Sequence, residues 1–421
     1  RLVMSKSALL VLVFIMALSA FSIGAGDSES ENEEVKEFIV KAVHYVVTAE
    51  GEVEVDDNGT DTTTIVIPKE VTFKDKTYKV KALAKKAFFQ NKTLTSVTIE
   101  SGITEIPEQA FMECSNLATL VIGEGIEKIG NSAFEGCKKL EEVIVPKTVI
   151  EMGDSVFKDC EGLKKIVFEG DLKKIDEDLF KNCDKLEEIE IQGDVELIDE
   201  KIFEGHMTLK SVKLNGNVDE IGKEAFKDCE KLEIFEFDKK KNVKKIGESA
   251  FEGCTSLEEI FIPGSLELID KATFKGCEKL EKIEIETGVE EIGESAFEGC
   301  SSVEEITIPS TVKKVGEMAF KDCIKLTTVE LEEGVEEIGD SAFVGCGELK
   351  MVTIPASVKE IGESVFEGSS LEELTIPASM KVIKVSAFKN NVKLKKVTME
   401  DGVEEIGDSA FVGCTDLEEL S

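Results

Sequence analysis

The stretch AFEGCKKLEEVIVPKTVIEMGDSVF, Ala133 to Phe157, ends as it begins, with a small or branched residue followed by Phe. Phe recurs in this way at 88, 111, 134, 157, 180, 203, 226, 251, 274, 297, 320, 343, 366, 388 and 411. The spacing is 23 residues except for 25 between Phe226 and Phe251 and 22 between Phe366 and Phe388. Within the quoted unit the apolar positions are Ala133, Phe134, Leu140, Val143, Val145, Val149 and Met152, and the same columns are apolar in nearly every unit. A unit this small cannot bury its own apolar face, so neighbouring units must stack and supply a shared core.

Val143 and Val145 alternate with Glu142 and Ile144, which puts both valines on one face of a strand. Ile260/Ile262, Ile306/Ile308 and Val352/Ile354 repeat the pattern, and β-branched residues suit a pleated, half-buried surface. The expected fold is a repeat solenoid of about fifteen 23-residue units, with one parallel sheet on its concave face. The return path is anchored inward at Val149 and Met152, and at Val289 and Ile292 in a later unit. The Gly that follows, at 130, 153, 222, 247, 293, 316, 339, 362 and 407, fits a backbone position with φ > 0. Asp176, Asp199 and Asp270 share that column, as does Pro107, which forbids positive φ. The Ala-Phe pair is expected to start a short helical or irregular turn on the convex face.

All eleven cysteines fall three residues after a Phe, at Cys114, Cys137, Cys160, Cys183, Cys229, Cys254, Cys277, Cys300, Cys323, Cys346 and Cys414. Asn91, His206 and Asn391 take the same place in other units, and Ser369 takes it in the shortened one. A straight column offers parallel side chains, which lack the crossed geometry of a disulfide and the convergence of a zinc site. The favoured reading is a structural ladder of small, unpaired, buried side chains that hydrogen-bond turn backbone, with occasional bonds between adjacent rungs left open.

The combination IP-x-x-V-x-x-I-G-x-x-A-F-x-x-C-x-x-L stands as IPSTVKKVGEMAFKDCIKL (308–326) and IPASVKEIGESVFEGSSL (354–371). It resembles the BspA-like, or Treponema-type, leucine-rich repeat family, over roughly residues 38–421. The N-terminal stretch is also similar to that family's opening module, with a Tyr-containing strand at His44–Val47 and then IVIPKEVTFKDKTYKVKALAKKAF (65–88), in which KDKT (74–77) forms a hairpin turn. The Cys precedes the strand's first Leu, a departure from the more familiar repeat consensus. The resemblance implies a secreted or surface-displayed protein that binds extracellular-matrix or cell-surface proteins or glycoconjugates. It supplies no catalytic residues to transfer.

The ends fit that setting. Met4 and Lys6 precede an apolar run from Ala8 to Ile23 and the small residues Gly24, Ala25 and Gly26. Residues 1–26 read as a secretory signal peptide, with an uncleaved anchor as the alternative. Residues 27–37 read as a disordered acidic spacer, 38–80 as an N-terminal β-hairpin cap with the first-unit insertion, and 81–421 as the solenoid, with further repeats expected beyond Ser421. No membrane insertion is expected once the leader is removed. Of the two N-x-T sequons, Asn58 sits in a polar loop open to glycosylation and Asn91 in the cysteine column.

Composition narrows function further. With 87 acidic against 50 basic side chains the formal charge is −37, which disfavours nucleic acid because affinity there rests on cations neutralising phosphates. His44 and His206 lie far apart in the repeat order, and neither a P-loop nor a dinucleotide fingerprint occurs, so no enzyme and no cofactor are expected. No calcium loop of the D-x-D-x-D-G kind supports a metal site. Candidate ligand contacts are the outward strand positions. Val121, Ile144 and Val167 would expose an apolar cluster flanked by Thr119, Glu142 and Lys165, and Phe261 with Ile234 diagonal to it forms a second candidate. Lys239, Lys240 and Lys241 mark the two-residue insertion and are expected to project as a basic bulge. Recognition and adhesion is the leading reading, and a structural role in an extracellular coat or wall, through contacts between solenoids, is the alternative.

Overall fold

The computed structural model describes residues 35–56, 61–176 and 178–421. The expected leader, all but the last three residues of the spacer, and Asn58 lie outside the described residues. Five strands come first, in the sheet order Glu37–Val40, Val43–Ala49, Glu52–Val55, Lys76–Leu83, Glu70–Phe73. The hairpin of the last two closes through Lys74 and Asp75, with φ of 46° and 62° between the paired residues Phe73 and Lys76. Positive φ at both central residues matches the right-handed twist of the flanking strands. Phe38 stacks on Phe73 at 4.6 Å and packs beside Tyr45 and Tyr78, giving this sheet an aromatic face.

Sixteen strands of the repeat then stack in parallel, from Thr64–Ile67 to Glu419–Leu420. The first of them has no Phe before it in the series. It pairs with Ser96–Ile99 and adds one rung to the fifteen counted from phenylalanines. Register holds every residue beside its counterpart one unit on, as in Val143–Ile166–Ile189–Val212. The hydrogen-bonded ladder along this file has four interruptions, after Ile122, Phe237, Ile285 and Thr353. The second lies at the 25-residue unit and the fourth at the 22-residue unit, where a changed length shifts one strand against the next.

The return path holds more order than its sequence suggests. Fourteen short strands form a second parallel file, from Glu105–Ile106 to Glu405–Ile406. Most have two residues, but Leu172–Ile175, Val195–Ile198, Val218–Ile221 and Val243–Ile246 have four. In that section Asp171, Asp194 and Asn217 each accept the backbone N–H of the residue one rung on, at 2.8, 2.7 and 3.0 Å. These side chains continue the ladder around the corner. Val149, Val289 and Ile292 are buried as inward anchors, and Met152 is half-buried.

The third side carries the phenylalanines, and no helix forms there or elsewhere among the described residues. Ala133 N–H and Cys137 N–H make three-residue turns, to Gly130 and Phe134 carbonyls, but Ser132 and Gly136 are left-handed, at φ 54° and 75°. That geometry aims the N–H groups of Ser132, Phe134 and Gly136 at the carbonyls of Asp154, Val156 and Lys158 in the next rung, at 2.9, 3.0 and 2.8 Å. Backbone donors that a helix would spend internally bind the neighbouring coil instead. The rings stack above one another with centroids 5.0 to 6.3 Å apart along the whole series.

The glycine column needs a different explanation from left-handed geometry. None of the glycines at 130, 153, 222, 247, 293, 316, 339, 362 and 407 has a positive φ. A Cβ on Gly130 would stand 2.6 Å from the backbone nitrogen of Glu108, and one on Gly339 2.5 Å from that of Glu317. These glycines let one coil's backbone approach the previous coil, and the left-handed position is the residue two later, Ser in most units and Glu224 or Met318 in others. Gly339→Ala should therefore destabilise by about 1–3 kcal/mol through overpacking, whereas Ser341→Gly should be neutral or stabilise by up to about 1 kcal/mol. Urea denaturation followed by far-UV circular dichroism tests this, and equal losses from both variants would refute the assignment.

Candidate binding face and cysteine column

The outward positions of the strand file are set by the alternation of the pleat. Thr119, Val121, Glu142 and Ile144 are exposed, with Val121 and Ile144 both at 48%. Lys165 is half-buried and pairs with Glu188 at 3.3 Å. Val167 departs from expectation, because it is 7% exposed and buried. The longer Ile144 and Glu190 stand beside it in register, and a short valine sits below their rim. In its place the additional first rung contributes Val66, 45% exposed and aligned through Thr98 with Val121. The apolar row is therefore Val66, Val121 and Ile144. Counting rungs by phenylalanine hid Val66, although its IVIP matches the strand pattern.

Ile234 is exposed and Phe261 half-buried, and both line a groove of about 700 Å³ at the two-residue insertion. The basic bulge expected there does not project as a whole. Lys239 turns back over the Phe261 ring, 4.4 Å from its centroid, and its Nζ lies 2.8 Å from Glu284 Oε2. Phe235 and Phe237 also line the groove, and Glu233, Glu236, Glu258 and Glu259 surround the opening, with Lys282 beside Glu259. Most other lysines that face solvent serve register between rungs, as in Glu141–Lys164 and Glu187–Lys210, both 2.9 Å. Such exposed pairs are screened by water and salt and add little to stability.

The cysteine column is uniform. All eleven thiols are free, and all but Cys414 are buried. Each Sγ donates to the carbonyl of a Phe in the preceding rung, from Cys114 to Phe88 at 3.1 Å through Cys414 to Phe388 at 3.3 Å. Asn391 reproduces this with its amide, donating to Phe366 and Phe388 carbonyls at 2.8 and 2.9 Å. Asn91 Oδ1 instead accepts from the N–H groups of Thr93 and Leu94. Burial pushes the thiols of Cys114, Cys183 and Cys229 up to about 12, away from the thiolate that reacts or binds metal. Among the described residues no cluster of His, Cys, Asp and Glu could hold a metal ion.

His206 interrupts the column. Its Nδ1 is shielded from solvent without a hydrogen-bond partner, and burial lowers its pKa despite a backbone bond at Cys183 and the charge of Asp184. The rings beside it are disturbed, with Phe203 tilted 22° and 19° to its two neighbours where the other stacked pairs of the repeating phenylalanine series stay within 11°.

A coil with a parallel strand file, a return file and a stacked aromatic side is a leucine-rich repeat solenoid, a class that uses its continuous surface for binding other molecules. The model of the BspA type leucine-rich repeat region matches residues 81–210, 173–304 and 290–418, and the chain belongs to that family. Among solved structures it is similar to a leucine-rich repeat protein from Bacteroides ovatus, with 25% identity, a TM-score of 0.46, and 90% of this chain and 93% of that one covered. It is also similar to a leucine-rich cell surface protein from Faecalibacterium prausnitzii, with 25% identity and a TM-score of 0.41 over 87% and 96% of the two chains. A third likeness is to the pneumococcal vaccine antigen PcpA, at 21% identity and a TM-score of 0.32 over 88% and 86%. No curated protein matches the chain.

Two outcomes follow from the column. In the native chain at about pH 8, DTNB should modify roughly one thiol, that of Cys414, and denaturant should expose the rest; rapid reaction of several native thiols would contradict the burial. For His206 the neutral ring is favoured in the fold, so its contribution is complete above its ordinary pKa of about 6.5 and is lost as pH falls through the lower folded value. Between about pH 7 and pH 5.5, above the range where most carboxylates titrate, His206→Asn should gain stability relative to the parent chain. A difference in urea midpoint that does not vary with pH would rule this out.

Proposed function

We propose that the chain is a secreted or cell-surface recognition protein that binds a protein or glycoconjugate partner along its strand face. The carrying observation is the row of Val66, Val121 and Ile144, each 45–48% exposed, with Thr98 between the first two and the ladder interrupted between the last two. β-branched residues do form strands on any face. The same outward column, however, carries Glu190, Lys213, Glu236, Glu284 and Glu330 in other rungs, so strand formation does not demand an apolar side chain there. Three apolar tips within four successive rungs of a chain of charge −37 thus favour a contact surface. The apolar run Ala8–Ile23 behind Lys6 supports export to the extracellular setting in which such a surface would meet a partner.

Surface plasmon resonance of the chain against a panel of extracellular-matrix and cell-surface proteins should find saturable binding. Val121→Asp and Ile144→Asp should each weaken it about tenfold or more, with circular dichroism unchanged, because an apolar contact is replaced by a desolvated charge. Absence of saturable binding across the panel, or full binding by both variants, would count decisively against this role.

A further inference from the structure

We propose that the groove opened by the two-residue insertion receives a lysine or arginine side chain from a basic segment of a protein partner, and that Lys239 is an internal occupant which the partner displaces. This rests on the recognition reading above and supplies the partner chemistry for a second part of the same face.

The groove already holds the chemistry it is proposed to bind. Lys239 Nζ sits 4.4 Å from the Phe261 centroid and 2.8 Å from Glu284 Oε2, an aromatic face and a carboxylate on adjacent rungs gripping one cation. A cation over an aromatic face is attracted by the ring quadrupole, and the carboxylate fixes its direction. The grip is open to exchange, since the Lys239 and Glu284 side chains remain 61% and 47% exposed. Exposed ion pairs hold weakly, so an incoming cation with additional contacts can replace the internal one.

The surroundings favour a cation over any other occupant. In the column Glu141, Lys164, Glu187, Lys210 the charges alternate and neutralise one another from rung to rung. Beyond Lys210 the same column reads Glu233, Glu258, Glu281 and Glu304, all exposed, four consecutive glutamates that flank the insertion before the column passes to Thr327 and Lys350. The ladder is also interrupted here, between Ile234–Phe237 and Glu259–Ile262, which accompanies the widening to about 700 Å³. An aromatic floor, a rim on which carboxylates outnumber the single Lys282, and a gap large enough for one long side chain coincide at the single place where two residues are added to the repeat.

The test uses the intact chain and a fluorescein-labelled octapeptide of alternating Lys and Thr, read by fluorescence anisotropy at about 0.15 M salt, where long-range attraction is screened. A Glu/Thr peptide of the same length serves as control. The Lys peptide should bind saturably and the Glu peptide should not. Lys239→Ala should raise affinity about three- to tenfold by vacating the ring, and Phe261→Ser should lower it by a similar factor. Lys240→Ala removes the same charge without touching the ring and should change affinity less than about twofold. A gain in affinity cannot arise from misfolding, so Lys239→Ala remains decisive even if Phe261→Ser is unstable. Equal effects of Lys239→Ala and Lys240→Ala, indifference to Phe261→Ser in a folded variant, or no peptide binding would each overturn the proposal. Ile144→Asp should leave peptide affinity unchanged, so failure here and failure of the Val121–Ile144 surface are read separately.

Discussion

The structure depends on each side chain being compatible with its own counterpart 23 residues away. Parallel stacking in register places like over like, so a column survives only if its residue can pack against a copy of itself or alternate with a complement. Phenylalanine meets this condition by stacking, with centroids 5.0–5.8 Å apart in all but one pair of the series. Cysteine meets it because its thiol donates to a carbonyl of the preceding rung and leaves its own Phe carbonyl for the next. Charges meet it by alternation, Glu over Lys over Glu. Each solution repeats without accumulating strain, which lets a short unit extend into a long chain.

Much of this was legible because periodicity is a property of sequence. The phenylalanine series gives the unit length, and the pairs such as Val143 and Val145 give the inward face of the strand file. What escaped depends on distances between coils, which a single unit does not encode. Gly130 and Gly339 serve close backbone approach, a contact with the previous rung, so a reading confined to their own turn assigned them to φ. The second strand file escaped because two-residue strands such as Glu291–Ile292 are too short to show alternation. Val167 alternates correctly and is still buried, since exposure depends on the height of Ile144 and Glu190 beside it. Lys239 lies in an insertion outside the repeat frame, so its fold back onto Phe261 had no column to be read from.

The places where stacking is imperfect are informative for the same reason. His206 is bulkier than the Cys it replaces and leaves Nδ1 without a partner, and the Phe203 ring beside it tilts. A buried, unsatisfied polar atom costs more than a slightly poorer contact, so this rung is a local weak point in an otherwise repetitive core. Ser369 is comparable, with a buried hydroxyl that finds no partner in the shortened unit. Ser is smaller than the Cys it replaces, and it shares that column with a chain one residue short.

Self-compatibility also explains why the candidate recognition features lie at irregularities and at the outward column. Core columns cannot vary without penalty to both neighbours, whereas the outward column runs from Val66 to Glu330 with no loss of strand. A stack of glutamates such as Glu233, Glu258, Glu281 and Glu304 is unfavourable by the rule that governs the rest of the surface, because like charges one rung apart repel. Within the chain, Lys210 beside Glu233, Lys282 across from Glu259 and Lys239 at the insertion offset this repulsion only in part. A cationic partner would relieve it, and the same excess charge opposes adhesion between neighbouring copies of a strand-rich surface. The repulsion that opposes self-association is therefore the same unbalanced charge that a basic partner would neutralise.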